Sequence, residues 1–261
     1  MCRHLGYLGP AVPLAGLLDG PSGLLRQTWA PADMRGGGTV NVDGFGVGWY
    51  LDDEAPPVRY RRAVPMWTDA SFAQLAAVTS SRAVLAAVRS ATFGMPVVDT
   101  ACAPFAEGRW LFSHNGRVTG WPHSVAGLAA SLSIVDLITL DAPTDSALLW
   151  AMVRERLRSG VDPADAVAEV ALLVAEVAPD SRLNFLLTDG TTLVATTWWH
   201  SLSVLCGPDS VVVASEPWAD DPQWTPVADR SLLVATLTPA PDVRVRALGP
   251  TSPERDTTAD D

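Results

Sequence analysis

The order of the secondary-structure patterns is the feature that most constrains what this chain can fold into. Short β-branched and aromatic runs, bounded by turn residues, predict strands before two long helices and again after them. The first group covers residues 45–51, 58–62, 83–89 and 110–114. The second group covers residues 183–188, 191–199, 204–206, 211–215, 232–237 and 243–248. Strands grouped apart from helices favour antiparallel sheets with helices layered on them over βαβ alternation, and therefore an α+β fold.

The two helices are defined by their start and stop signals. The first should begin near Asp145, because apolar residues then recur at helical spacing until Gly160 stops the pattern. The second should begin after Asp162, an N-cap residue followed by Pro163, and should end at about Ala178. Two adjacent amphipathic helices predict one helical layer.

The composition excludes several classes of function. All 18 basic residues are arginine, so the chain has no lysine for a Walker A loop, a Schiff base or a Ser-x-x-Lys nucleophile. The formal charge of -11 repels a nucleic-acid backbone or an anionic membrane. A small polar molecule is the expected partner, with no nucleic acid and no membrane. The composition leaves the oligomeric state open.

Neither a metal nor a cofactor is expected. The three cysteines are widely separated and the four histidines lack metal-ligand spacing, which argues against a disulfide framework and a zinc site. The glycines at 44, 46 and 48 lack the spacing of a dinucleotide fingerprint. No signal peptide is recognised, so we expect a cytoplasmic protein. One domain is expected over residues 2–249, followed by a disordered acidic tail over 250–261.

Cys2 is the residue that most directly suggests chemistry. If Met1 is removed, Cys2 carries both a thiol and an α-amine, which can serve as nucleophile and base within one residue. The alternative is an ordinary cysteine near a chain end.

Three further segments would complete a site for an amide substrate, and each has a structural alternative. Asn115 and Gly116 offer an amide and a backbone N–H to an oxyanion, but Asn-Gly after a strand is also typical of a hairpin turn. Arg89 at a strand end suits a carboxylate, or a surface ion pair. Asp145 could receive an ammonium group, or cap the helix.

Taken together and in order, these motifs resemble the class II glutamine amidotransferases, which are N-terminal-nucleophile hydrolases with a four-layer αββα sandwich. The matching segments are Cys2-Arg3, residues 41–49, residues 89–92, residues 113–116, residues 144–146 and residues 214–217. The resemblance implies that Cys2 is the nucleophile, that Asn115 and Gly116 form the oxyanion hole, and that Asp145 binds the substrate ammonium.

In the same family, the substrate α-carboxylate binds an arginine at the position of Arg89. Ser90 and Thr92 of the same motif are expected to bind substrate as well. Many relatives have Trp and His where this chain has Ser90 and Phe93, so the wall of the glutamate pocket should differ.

The chain after residue 237 is too short for a synthase domain, so we expect a stand-alone amidohydrolase that cleaves a γ-glutamyl amide. Residues 1–9, 87–96 and 214–227 are similar to the branch of the family that removes glutamate from a γ-glutamyl sulfoxide conjugate in ergothioneine biosynthesis. Two alternatives remain open: a glutaminase subunit that supplies ammonia to a separate synthetase, and a non-catalytic binding protein on the same fold.

Overall fold

Strand β1 (Arg3–Pro13) lies inside a sheet, with a hydrogen-bonded neighbour on each side, so the start of the chain is fixed in the interior. The computed structural model describes residues 2–20, 23–33, 40–52, 54–217 and 222–249. Met1 and the expected tail over 250–261 lie outside this part of the chain. None of the helices within the described ranges has the length and apolar character needed to cross a membrane.

The described residues form six α-helices and thirteen strands. The helices are α1 (Leu14–Leu18), α2 (Ala70–Val78), α3 (Ala126–Ala129), α4 (Ile134–Ile138), α5 (Asp145–Arg158) and α6 (Pro163–Val177). The strands after β1 are β2 (Phe45–Trp49), β3 (Val58–Arg62), β4 (Ser80–Val88), β5 (Phe105–Glu107), β6 (Trp110–Arg117), β7 (Arg182–Thr188), β8 (Thr192–Thr197), β9 (Ser203–Cys206), β10 (Val211–Ala214), β11 (Thr225–Pro226), β12 (Ser231–Thr236) and β13 (Asp242–Ala247).

The strands form two antiparallel sheets. In the part of the chain described, the first sheet has the order β11-β9-β10-β1-β4-β2-β3, and the second has the order β13-β12-β8-β7-β6-β5. Side chains alternate between the two faces of each strand, so each sheet has one face toward the other sheet and one face toward helices.

Three apolar clusters hold the four layers together. Helices α1 and α2 pack with the outer face of the first sheet, through Leu14 and Phe72 among others. Helices α5 and α6 pack on the outer face of the second sheet around Trp150 and Val170. Between the sheets lies a third cluster, built from alternate residues of both, with Leu186 near its middle. The α+β class and the αββα sandwich are confirmed.

The predicted helices and strands are present with small shifts at their ends. Helix α6 is capped by Asp162, whose side chain accepts hydrogen bonds from the N–H groups of Ala164 and Asp165. The predicted order of strands, helices and strands was wrong in its first part, because α1 lies between β1 and β2 and α2 lies between β3 and β4. Strand β1 was also missed, since its two glycines and two prolines are typical of turns.

Leu186→Ala should destabilise the fold by about 2–5 kcal/mol, because the fully buried side chain fills the space between the sheets and its loss leaves a cavity. Urea unfolding followed by circular dichroism would measure this. The control is Val245→Ala, at a half-exposed position of β13, which should change stability by no more than about 0.5 kcal/mol. Equal losses in the two variants would contradict the proposed packing.

Candidate active site

A cleft at one end of the sandwich brings two of the predicted site residues together. Cys2 and Arg89 both line it, together with His114 and Ser146 from the second sheet and helix α5. The thiol of Cys2 donates to the carbonyl oxygen of Ser90, with 3.6 Å between Sγ and the oxygen. The sulfur therefore lies beside the segment that was expected to bind substrate.

Asn115 and Gly116 lie inside β6, where they pair with Asn184 and Leu183 of β7. The alternative of a hairpin turn was therefore wrong. The amide nitrogen Nδ2 of Asn115 donates to Oγ of Ser215 at 3.3 Å. The same Oγ accepts the backbone N–H of His4 at 2.9 Å, so the Asn115 amide is held beside the beginning of β1.

Gly116 occupies a position where no side chain fits. A Cβ atom there would lie 1.8 Å from the carbonyl oxygen of Arg182 and 2.6 Å from Nε2 of His114. Any substitution would push β6 away from β7 and move Asn115 with it.

Arg89 follows the last residue of β4, and its surroundings argue against a surface ion pair. The side chain is half-buried, and its Nη1 donates to the carbonyl oxygen of Pro96 at 2.9 Å. No carboxylate of the described residues pairs with it. The adjoining backbone is fixed by Asp43, which donates its N–H to the Arg89 carbonyl and accepts the N–H of Ala91 at Oδ2. Asp43 was not predicted to have this role.

The other residues of this motif are less closely involved. Ser90 contributes its carbonyl to Cys2 and is half-buried. Thr92 is exposed and is not among the residues that line the cleft; its carbonyl accepts the N–H of Met95 in a turn. The side chain of Phe93 is fully exposed, so it forms no wall of the pocket in this structure.

Asp145 is the first residue of α5, but it does not cap the helix. The cap is Thr144, whose side chain accepts the N–H of Ala147. The Asp145 carboxylate is buried and accepts the N–H of Val118 at 2.9 Å and that of Ser146 at 2.8 Å. The carboxylate is not among the groups that line the cleft, although the neighbouring Ser146 is.

His114 connects the strand of Asn115 to helix α5. Its Nε2 lies 2.7 Å from the carbonyl oxygen of Arg182, and its Nδ1 lies 2.9 Å from Oγ of Ser146. A carbonyl can only accept, so Nε2 carries the proton and Nδ1 accepts from the Ser146 hydroxyl. Burial lowers the pKa of His114 despite the nearby Asp145 carboxylate, which favours this neutral form. The histidines of the sequence lack metal-ligand spacing, and no sequence pattern predicted that His114 would connect β6 to helix α5.

A buried ion pair fixes Arg3, the residue that follows Cys2. Nε of Arg3 donates to Oε1 of Glu216 at 2.9 Å, and Nη1 donates to the carbonyl oxygen of Cys2 at 3.1 Å. Glu216 also accepts the N–H groups of Ala32 and Asp33. These contacts connect Arg3 to residues about 30 and 213 positions further along the chain. Local sequence patterns cannot predict contacts between residues so far apart.

Comparisons with known proteins show the family to which the chain belongs. The family model of the class II glutamine amidotransferases matches residues 26–207, and the chain belongs to this family. A relative from Mycolicibacterium smegmatis named gamma-glutamyl-hercynylcysteine sulfoxide hydrolase is 46% identical over 235 residues, which cover 89% of this chain and 95% of the relative. A relative of the same name from Mycobacterium tuberculosis is 43% identical over 237 residues, covering 90% and 93% respectively.

Solved structures give the same fold at lower identity. A glutamine aminotransferase class-II domain protein from Silicibacter pomeroyi matches with a TM-score of 0.63 at 24% identity, over 95% of this chain and 100% of that one. A glutamine phosphoribosylpyrophosphate amidotransferase from B. subtilis matches with a TM-score of 0.66 at 15% identity, over 95% of this chain and 49% of that one. Both likenesses concern the fold.

Three buried histidines surround the site and are held neutral. Burial lowers the pKa of His4 to about 3, with smaller effects from His114 and Arg3. Burial also lowers the pKa values of His114 and His200. In the unfolded chain these groups titrate near pH 6.5, so the unfolded state binds more protons below that pH.

Stability should therefore be full above about pH 6.5 and should fall as the pH is lowered toward the folded-state values. The slope between pH 6.5 and 5 should reach about 1.4 kcal/mol per pH unit for each buried histidine. Urea midpoints across this range would measure it. His4→Asn should reduce the slope, whereas the same change at the exposed His123 should preserve it. A flat profile for the unmodified protein would contradict the burial of neutral histidines.

Proposed function

We propose that the chain hydrolyses a γ-glutamyl amide with Cys2 as the nucleophile, and that its substrate is γ-glutamyl-hercynylcysteine sulfoxide. The reaction type is supported chiefly by the cleft, where Cys2 and Arg89 lie together beside the strand that carries Asn115. The substrate is suggested by the names of the relatives at 43% and 46% identity. We further propose that residues 2–249 act as one catalytic domain in the cytoplasm.

The first step uses both functional groups of Cys2 once Met1 has been removed. The α-amine takes the thiol proton, and the thiolate attacks the γ-carbonyl carbon. The negative charge that develops on the carbonyl oxygen is stabilised by Nδ2 of Asn115 and the backbone N–H of Gly116. Collapse of this intermediate gives a γ-glutamyl thioester and releases the amine, which leaves with the proton from the α-ammonium.

The second step returns the enzyme to its starting state. The α-amine, again neutral, takes a proton from water as the water attacks the thioester carbonyl. Glutamate leaves and the Cys2 thiolate recovers a proton. The same two oxyanion donors act in both steps.

The glutamyl head group would be held by charge on both sides. Arg89 is already positioned by its bond to Pro96 and offers its remaining N–H groups to the α-carboxylate. Asp145 attracts the α-ammonium, with Ser90 and Thr92 completing the substrate-binding segment. Since Asp145 and Thr92 do not line the cleft in this structure, substrate binding would require a local adjustment at both positions.

The test is glutamate release by the purified, Met1-free protein from γ-glutamyl-hercynylcysteine sulfoxide and from L-glutamine at equal concentration. A strong preference for the sulfoxide is expected, and Cys2→Ala should abolish turnover of both compounds. Retaining Met1 should also abolish it, because an acylated nitrogen cannot act as the base. A preference for glutamine would favour an ammonia-supplying glutaminase. Substantial activity in Cys2→Ala would refute the mechanism.

Asn115→Ala should lower kcat by on the order of 10²–10³-fold, because one of two oxyanion donors is lost. The KM should change much less, since this donor acts on the charge that develops after binding. Steady-state kinetics would measure both constants, and the unfolding midpoint would show that the fold is retained. A change confined to KM would assign Asn115 to ground-state binding instead.

A further inference from the structure

Two arginines lie side by side at the end of the second sheet. Arg117, the last residue of β6, pairs directly with Arg182, the first residue of β7. Residues opposite one another in an antiparallel pair project on the same face. Because side chains alternate along a strand, Arg117 projects on the same face of β6 as Asn115. Arg182 projects on the same face of β7 as Leu186, which packs between the sheets.

Arg182 is held against an aromatic ring. Its guanidinium carbon lies 3.8 Å from the centroid of the Trp199 ring. Trp199 has a φ of 87°, which is uncommon for a large side chain. Asn184 stabilises this turn, because its Oδ1 accepts the N–H groups of Trp198 and His200. A strained turn maintained by a buried amide indicates that the position of the ring is important.

Contacts between the sheets connect β6, which carries Arg117, to the beginning of β1. Nδ1 of His4 lies 2.9 Å from Oγ of Ser113, which aligns the start of β1 with β6. Asn115 is held beside His4 through Ser215. On the same face of β6, the next side chain beyond Asn115 is that of Arg117.

The turn that carries Trp199 is also connected to Ser215. The hydroxyl of Ser201 donates to the carbonyl oxygen of Ser215 at 2.9 Å. The arginine pair therefore belongs to the second sheet, whereas Arg89 belongs to the end of β4 in the first sheet. Burial, and then the charges of Arg182 and Arg3, lower the pKa of His200, so both arginines lie close to this histidine.

Two adjacent guanidinium groups favour the binding of an anion between them. Partial burial, and then the like charge of Arg117, lower the pKa of Arg182. A carboxylate bound between them would offset this repulsion and accept paired hydrogen bonds. A guanidinium attracted to the face of a ring through its charge can still donate its N–H groups to an acceptor.

We propose that Arg117 and Arg182, with Trp199 as a support, bind a carboxylate on the amine that leaves the γ-glutamyl group. This inference rests on the proposed function and concerns the half of the substrate that Arg89 does not bind. When glutamate is joined to the amino group of an α-amino acid, the leaving group carries a carboxylate next to the scissile nitrogen. Glutamine releases ammonia and offers no such group.

The test compares two substrates that differ in one carboxylate, γ-L-glutamyl-L-alanine and γ-L-glutamylethylamide. The unmodified protein should have the higher kcat/KM for the alanine compound. Arg182→Gln and Arg117→Gln should each lower this value by about 10- to 100-fold, as expected for the loss of a charge-assisted hydrogen bond, and should leave the ethylamide value unchanged. Arg182→Lys keeps the charge and should recover part of the preference.

Arg244→Gln is the matched control, since it removes one exposed positive charge from β13. This variant should leave kcat/KM unchanged for both substrates. Equal kcat/KM for the two compounds in the unmodified protein would overturn the carboxylate subsite while leaving γ-glutamyl hydrolysis intact. Equal losses on both substrates in the arginine variants would also overturn it, because they would indicate a structural role. Absence of glutamate release from every γ-glutamyl compound would overturn the proposed function and this inference with it.

Discussion

The buried ion pair between Arg3 and Glu216 is the interaction on which the geometry of the site depends. Arg3 follows Cys2 directly, and its side chain is 2% exposed. Removing two charges from water is costly, and such a pair is stable only when hydrogen bonds complete it. Here the N–H groups of Ala32 and Asp33 and the carbonyl of Cys2 do so. The pair thereby fixes where the chain begins relative to the end of β10.

The face of the strand on which a residue lies decides what that residue contacts. Alternate residues toward the middle of the sandwich, such as Leu111 and Leu186, make a dry core. On the same face of β6, the residues that follow Leu111 at every second position are polar, namely Ser113 and Asn115. The opposite face of β6 carries His114, which bonds to helix α5. One strand thus positions both Asn115 and the helix that begins with Asp145.

Local signals predicted some parts of this arrangement and could not predict others. Helix α6 was found because Asp162 and Pro163 specify its start within a few residues. Asn115 and Gly116 were ambiguous because Asn-Gly suits a turn, and the strand is imposed by pairing with β7, about 70 residues away. Strand β1 and helix α2 were missed, since β1 is rich in turn residues and α2 buries few large side chains. Cys2 was singled out from its chemistry alone, and the structure places it in the cleft.

The position of β1 inside its sheet has a consequence for the order of events during synthesis. In the folded protein, β1 is covered by β4 on one side and by β10 on the other. Strand β10 begins at residue 211, so roughly 200 residues are made before that side can close. At ribosomal rates this leaves on the order of 10–40 s. The β10 side of β1 thus stays uncovered for most of synthesis, and Arg3–Pro13 reach their final environment only when the fold is completed.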